Sequence, residues 1–427
     1  MNQIETPVKR KSPVWSSPFV IQLLIIMLLV EFVKGALIVS ILPVYMGTVL
    51  GLSAYAIGWS LALLYIGDNA FRSPLGWLIE RIGYRQTMLF GIILTFVAVL
   101  IVTFMHHAGW LIFACLLLGV GTSPLWPCVI TGATAGGESS GTVMSVVYMS
   151  WLIGIGSGPI VINFFIAHTY TRAFRILIGA MTIAVIVTLL LPGRKQSRAM
   201  ESASADTEDA GTGGGIDGKV TAGREPLYSR AVEYVNRLRR SLHVSRLLYP
   251  AMFAQNFALG LLTPILSLYA RTVLHLSPQQ YSYFLVAGGA VTALGLIPVG
   301  KAVDRWGTRW LLHIGFLLAA VSLPLLGMTR YLPAVLVIVA IVGIGYACII
   351  PAWNAFIAEQ IPKTERGAVW GFFLTIEGTG MVLGSIMSGR LWDSFGPHMP
   401  FQLSGIVMVV LFVLHLFITK RQRVMVR

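Results

Sequence analysis

Four ionisable residues stand inside apolar stretches where the chain otherwise avoids charge: Glu31 and Lys34 in one, Asp68 and Arg72 in the next. Lys34 follows Glu31 at i+3 and Arg72 follows Asp68 at i+4, so on helices each acid shares a face with a base. An ionisable group at bilayer depth is costly unless paired or hydrated, which makes each of them a functional candidate. Glu31 lies about 12 residues in from the start of its run and Asp68 lies 12 residues before Glu80. At 1.5 Å per residue that is ~18 Å in both cases, on segments running in opposite directions, so the two acids fall at similar depth. Two acids and two bases can neutralise one another as a purely structural cluster. Coupled carboxylates in a low-dielectric site can also take up and release a proton near neutral pH.

Other candidates are less charged. Trp126 and Trp151 sit deep in apolar runs, away from the interfacial zones where tryptophan gathers. An indole face can stack on a sugar ring and its N–H can donate to a hydroxyl, but deep tryptophan also serves ordinary packing. In the second half of the chain the main polar residues at depth are Gln255, Asn256, Asn354 and Glu377, the last about 10 residues (~15 Å) in from one end of its run. A polar first half facing a mostly apolar second half suits an amphiphile, and a hydrophobic drug fits the same asymmetry.

The elements that must position these residues follow from composition. The 427 residues are 56% hydrophobic and only 11% charged, with mean hydropathy +0.78; soluble chains carry roughly 25% charged residues. Apolar runs of about 20 residues, enough to cross a ~30 Å hydrocarbon core, recur from end to end. Spans are expected at 18–47, 54–79, 86–105, 109–133, 141–166 and 173–192, then at 247–272, 281–300, 309–328, 332–357, 367–390 and 398–419. This is an all-α polytopic membrane protein: twelve transmembrane helices in two six-helix bundles. It divides into a tail 1–17, a bundle 18–192, a linker 193–246, a bundle 247–419 and a tail 420–427.

One loop occurs twice. Gly76, Glu80, Arg81, Gly83 and Arg85 match Gly300, Asp304, Arg305, Gly307 and Arg309 as G-x-x-x-[D/E]-R-x-G-x-R, displaced by 224 positions. The same offset relates Gly119 and Gly121 to Gly343 and Gly345, Pro127 to Pro351, and Gly154 and Gly156 to Gly378 and Gly380. A constant offset across separate regions marks a chain built from two related halves. Asp68 and Arg72 have no copies: Thr292 and Leu296 stand at the equivalent positions. In the loop, Gly76 permits close helix approach and Gly83 a tight turn. Glu80 and Asp304 can pair with the neighbouring arginines or sit near a helix N-terminus of the opposite half. Such contacts suit a gate, and the charges also suit a purely topological role.

Lysine and arginine are unevenly placed. With the N-terminus inside, 24 of the 31 fall on the cytoplasmic side, including ten between Arg194 and Arg246. Five fall outside (Arg172, Arg175, Arg271, Arg330, Arg390), so both termini are expected in the cytoplasm of a cell-membrane protein. The linker begins as a flexible polar segment. From Pro226, Tyr228, Val232, Val235, Leu238 and Leu242 recur at helical spacing among arginines, a pattern for a basic amphipathic helix on the membrane or for a tether. Net charge +14 is therefore membrane topology and not a nucleic-acid surface. Cys115, Cys128 and Cys348 all fall in spans, with no disulfide framework or metal spacing.

Twelve spans in two halves, a long central loop and the doubled basic loop resemble the major facilitator superfamily across essentially the whole chain. The resemblance implies two bundles related by an axis along the membrane normal, a midplane site between them and alternating access by rocking. The first loop copy has Glu80 where that family usually has aspartate. Within the spans, Glu31-Phe-Val-Lys34-Gly35, Asp68, Ser123-Pro124-Leu-Trp126, Ser150-Trp151-Leu-Ile-Gly154, Pro351-Ala-Trp353-Asn354 and Trp370-Gly371 are similar to the glycolipid flippases of Gram-positive bacteria. That family moves the diglucosyl-diacylglycerol anchor of lipoteichoic acid, coupled to protons. The resemblance implies that Glu31, Lys34, Asp68, Trp126 and Trp151 serve headgroup binding and proton coupling. Lys34 replaces an expected arginine, and Glu377 an expected uncharged polar residue. Gly154-x-x-x-Gly158-Pro159 resembles an antiporter motif whose last two glycines are here Ile162 and Asn163, and close helix packing explains its glycines equally well.

No Walker-type phosphate loop, H-E-x-x-H or nucleophile elbow occurs, so neither ATP-driven transport nor an enzyme is expected. The expectation is a proton-coupled secondary transporter, without cofactor or metal, monomeric among membrane lipids. Its substrate is a glycolipid, with a multidrug or small-solute proton antiporter as the alternative. A membrane scaffold or receptor is the different-class reading.

Overall fold

A computed structural model of the chain describes residues 18–134, 140–166, 170–193, 247–360 and 366–425. Both chain ends, most of the linker with its expected basic helix, and the side chains of Gly76 and Glu80 lie outside the described set. Helix is the regular structure throughout the described residues. In the first half these helices are α1 (Pro18–Gly35), α2 (Ala54–Ile82), α3 (Tyr84–Phe104), α4 (Ala108–Thr122), α5 (Leu125–Thr134), α6 (Ser140–Ile166) and α7 (Tyr170–Leu189). The second half supplies α8 (Leu248–Leu262), α9 (Leu266–Thr272), α10 (Pro278–Trp306), α11 (Thr308–Met328), α12 (Leu332–Gln360), α13 (Arg366–Phe395) and α14 (Met399–Met425).

Several departures from the expected spans have local causes. The first span continues past α1 as π-helical turns at Ala36–Ile41 and Tyr45–Val49, on either side of Leu42–Val44. The wider turns stand around Pro43, which has no N–H to offer an α-helical ladder. Spans four and seven are each two helices: α4 and α5 part at Ser123-Pro124, α8 and α9 at Thr263-Pro264-Ile265. Proline removes a donor and crowds the preceding turn, which accounts for both breaks. The last helix continues through Met425, beyond the tail boundary expected at residue 420.

Among the described residues, joining the broken pairs leaves twelve rods, ten of them long and apolar enough to cross a membrane. The two exceptions are α2 and α13, and these two pack against each other across the halves. A helix that keeps one face on protein and another on a polar interior need not be apolar all round.

The repeat is visible as geometry. Gly83 (φ 92°) and Gly307 (φ 78°) each make the single-residue turn that closes one helix and opens the next. Their N–H groups donate to Ile79 and Val303 carbonyls, both at 2.8 Å. A left-handed φ at such a turn is open to glycine and strained for other residues. Ser53 and Ser277, also 224 apart, cap α2 and α10 by accepting from Ala56 N and Gln280 N, both at 3.2 Å. Gly119 packs on the Leu64 carbonyl and Gly343 on that of Gly288, again 224 apart on both sides. In spans five and eleven the offset slips. Gly154 and Gly158 pack on the Leu28 and Phe32 carbonyls as Gly380 and Gly384 pack on those of Phe253 and Phe257, so the shared role is displaced by 226. The sequence pairing of Gly154 with Gly378 is corrected accordingly.

One buried core draws on residues between Val20 and Leu191, joined by Leu268; two more draw on the second half. The halves meet closely at the end that holds the starts of α2, α7 and α10. There the Asp393 carboxylate of α13 accepts from the first amides of α2, Ala54 N at 3.1 Å and Tyr55 N at 2.9 Å. Tyr281 Oη donates to the Val39 carbonyl at 3.3 Å and Ser282 Oγ to that of Ile160 at 3.0 Å. Gly389 packs on the Ala54 backbone and Gly58 on that of Ser385, and at mid-depth Gly378 faces the Asn69 amide.

Gly300 behaves differently from these glycines, since a Cβ there would meet nothing within 4 Å. Gly119→Ala and Gly343→Ala should each cost about 1–3 kcal/mol of stability through overpacking, read as a lower melting temperature in detergent. Gly300→Ala should leave that temperature unchanged.

Candidate functional site

α1 and α2 bring the four charges together. Glu31 is fully buried at 0% exposure, Lys34 and Asp68 are buried at 8% and 6%, and Arg72 is partly buried. Lys34 Nζ stands 3.9 Å from Glu31 Oε1 and 3.5 Å from Asp68 Oδ2, while Arg72 Nη2 donates to that same Asp68 oxygen at 3.1 Å. One ammonium therefore serves two carboxylates, and Asp68 serves two cations. The set is not saturated: both Glu31 oxygens, Asp68 Oδ1 and Arg72 Nε are buried without a hydrogen-bond partner. Spare acceptors in a buried charge cluster leave it incompletely paired, a costly arrangement unless something else supplies a donor.

Close helix packing holds these groups in place. Gly154 lets α6 approach α1 at the Leu28 carbonyl and the Glu31 Cβ, and Ser150 Oγ ties the same helices by donating to the Leu24 carbonyl at 2.9 Å. On the other side, Gly119 brings α4 against the Asp68 backbone. The antiporter-like glycines Gly154 and Gly158 thus act here in helix packing.

Trp151, three residues before Gly154, faces Glu31 from α6. It forms a trio with Trp126 of α5 and Tyr148 of α6: ring centroids are 5.3 Å apart for Trp126–Tyr148, 6.0 Å for Trp126–Trp151 and 6.4 Å for Tyr148–Trp151. Tyr148 is exposed and the two tryptophans are half-buried. Across the interface, the Glu377 carboxylate of α13 lies beside the Trp353 indole and within electrostatic reach of Arg72 and Tyr148. No hydrogen bond closes there, for Trp353 Nε1 is buried and unpartnered. Tyr65 turns toward Lys34 from α2 and toward Thr263 of the second half.

Asn354 does not join this group; it is exposed on α12 with no hydrogen bond among the described residues. In the doubled loops, Arg81, Arg85, Asp304 and Arg305 are exposed, and Asp304 makes no ion pair among the described residues. Arg309 instead reaches His313 and His415 within its own half. Tyr65, Asn69, Tyr148 and Trp353 were not among the expected site residues. Tyr65 and Tyr148 each precede an expected residue, Asp68 and Trp151, by three positions, which is the spacing that shares a helix face.

Comparisons with known proteins agree with this architecture. The model of the Major Facilitator Superfamily matches residues 23–244 and 248–425. A protein of Staphylococcus saprophyticus named proton-coupled antiporter flippase LtaA is 26% identical over 379 residues, covering 87% of this chain and 86% of its own. Its namesake in Staphylococcus aureus strain MSSA476 is 26% identical over 412 residues, 94% of this chain and 96% of its own. Among solved structures, the nucleoside transporter NupG superposes with a TM-score of 0.70 at 16% identity, covering 95% of this chain and 100% of that one. A POT family transporter in complex with 5-aminolevulinic acid gives 0.70 at 15% identity, covering 96% and 99%. At these identities the structural likenesses speak to fold alone.

Lys34→Met would leave two carboxylates and one arginine in the cluster. Removing one partner of a buried ion set typically costs about 3–5 kcal/mol, so the variant should melt well below the wild type. Adding Glu31→Gln should recover part of that loss; no recovery would mean that the two side chains are not energetically coupled.

Proposed function

The chain belongs to the Major Facilitator Superfamily, and on that premise we propose that it is a proton-coupled secondary transporter that moves an amphiphilic glycolipid, of the diglucosyl-diacylglycerol type, by alternating access. It works in the cell membrane with both termini in the cytoplasm, its segments 18–192 and 247–419 rocking against each other about a site near the midplane. The observation that carries the proposal is the cluster of Glu31, Lys34, Asp68 and Arg72, where two carboxylates share one ammonium and keep spare acceptor atoms.

Proton uptake on Asp68 or Glu31 is the coupling step. Either event removes one negative charge from a set of two acids and two bases, which changes what Lys34 and Arg72 can pair with. The aromatic trio of Trp126, Tyr148 and Trp151 supports the headgroup role, because sugar rings stack on aromatic faces and the hydroxyls find indole and phenol donors. Acyl chains lie against the less charged second half, with Glu377 as its polar contribution. The relatives named proton-coupled antiporter flippases support the coupling and a cargo that is flipped across the membrane.

A multidrug or small-solute proton antiporter would use the same charges with a different cargo, and reconstitution separates the two. In liposomes with labelled diglucosyl-diacylglycerol, the protein should accelerate transbilayer movement in a pH-gradient-dependent manner, and Asp68→Asn should return it to the protein-free rate. Drug-driven proton flux without lipid movement would favour the antiporter reading. Full lipid movement by the Asp68→Asn protein would remove Asp68 from the coupling step.

A further inference from the structure

We infer that Glu377 is the alternative counter-ion of Arg72, and that transfer of Arg72 from Asp68 to Glu377 converts protonation in the first half into a contact between the halves. This inference rests on the coupling role proposed above for Asp68 but concerns a residue of the other half.

Arg72 is the member of the cluster that faces out of its own half. Its Nη2 is held by Asp68 while its Nε has no partner, and Glu377 lies within electrostatic reach across the interface. Packing fixes the relative height of the two residues independently of charge. Asn69 of α2 fills the space at Gly378 of α13, so Glu377 sits beside that contact and Arg72 one turn further along α2 in the same direction. On the other side of Asn69 and Gly378 the same two helices are fastened by Gly58, Gly389 and the Asp393 cap. Arg72 and Glu377 thus follow the last of these contacts along the two helices, where one further bond would extend the fastening.

Among the described residues, the charged and titratable groups that act on Arg72, Asp68 or Glu377 are Glu31, Lys34, Tyr65 and Tyr148, all of the first half. With Asp68 ionised, Arg72 is satisfied within the first half. When a proton binds an Asp68 oxygen, the guanidinium keeps its charge and loses its anionic partner. A buried cation left alone is strongly unfavourable, and Glu377 is the carboxylate in reach that is not already shared with Lys34. A planar guanidinium whose Nε has no partner keeps a donor to offer it. Protonation of Asp68 therefore tightens α2 against α13 at mid-depth, and deprotonation loosens them.

The test reads conformation and not transport. Gln86 and Trp310 are exposed, 224 positions apart, at the starts of α3 and α11, and the three native cysteines are buried. Spin labels at Gln86→Cys and Trp310→Cys report the separation of the halves by electron–electron distance measurement. Lowering the pH should change the ratio of the two distance populations by at least about fivefold, the lower range of a coupling between two sites. Asp68→Asn, which imitates the protonated state, should show the low-pH distribution at every pH. Glu377→Gln should abolish the pH response, and adding it to Asp68→Asn should undo the shift. A Glu377→Gln protein that responds to pH like the wild type, or an Asp68→Asn/Glu377→Gln protein indistinguishable from Asp68→Asn, would overturn the inference. Because no lipid is moved, an absence of glycolipid flipping leaves this outcome readable on its own.

Discussion

Lys34 is one ammonium set between two carboxylates at a depth where water is scarce, and the surrounding structure is arranged around that condition. In hydrocarbon a charge must be met at once by an opposite charge or a dipole. α1 and α2 therefore have to reach the same depth with Glu31, Lys34 and Asp68 turned toward one another. The glycines beside them make this possible. Gly154 admits α6 to the Glu31 face and Gly119 admits α4 to the Asp68 backbone, so the cluster is walled by helices close enough to keep its geometry. Trp151 gains its place beside Glu31 from the same close approach, which links the charges to the aromatic trio mechanically as well as by distance.

The two halves share a frame and differ in what it carries. Turns, caps and glycine contacts recur at a displacement of 224, yet Thr292 occupies the counterpart of Asp68. Its single hydroxyl proton is shared between the Gly288 carbonyl at 2.9 Å and the Gly343 carbonyl at 3.1 Å, so its donor is spent on helix packing. The counterpart of Arg72 is Leu296, which needs no partner at all. A duplicated scaffold has thus become an unequal pair, with the ionic work in one half. The second half answers through Glu377, placed beside the Gly378–Asn69 contact.

Much of this frame was legible in the sequence because it depends on short-range rules. Apolar run length predicts helices, and a repeated G-x-x-x-[D/E]-R-x-G-x-R predicts two equivalent turns. The spacing of Glu31 with Lys34 and of Asp68 with Arg72 predicts two like pairs. What the sequence concealed depends on partners far away in the chain. Nothing local announces that Asp393 caps a helix 339 residues earlier, that Asn69 and Gly378 oppose each other, or that Tyr148 looks toward Glu377. The slip from 224 to 226 around Gly380 is invisible for a related reason: glycines are frequent, and only the carbonyl that each one touches says which are equivalent. Gly300 shows the converse, a motif glycine with open space around it.

The Asp393 cap has a consequence for how the protein opens. The amides of Ala54 and Tyr55 are the unsatisfied start of a helix, and a carboxylate borrowed from the other half satisfies them. When the halves part at that end, those donors and that anion must be solvated anew, and hydrocarbon cannot do it. Separation there is a wetting event, in which water enters as polar groups let go, and it is confined to the face of the molecule that water can reach. The membrane-facing seam can stay dry while the cleft floods, which lets a hydrophilic path and an oily boundary exist side by side in one interface.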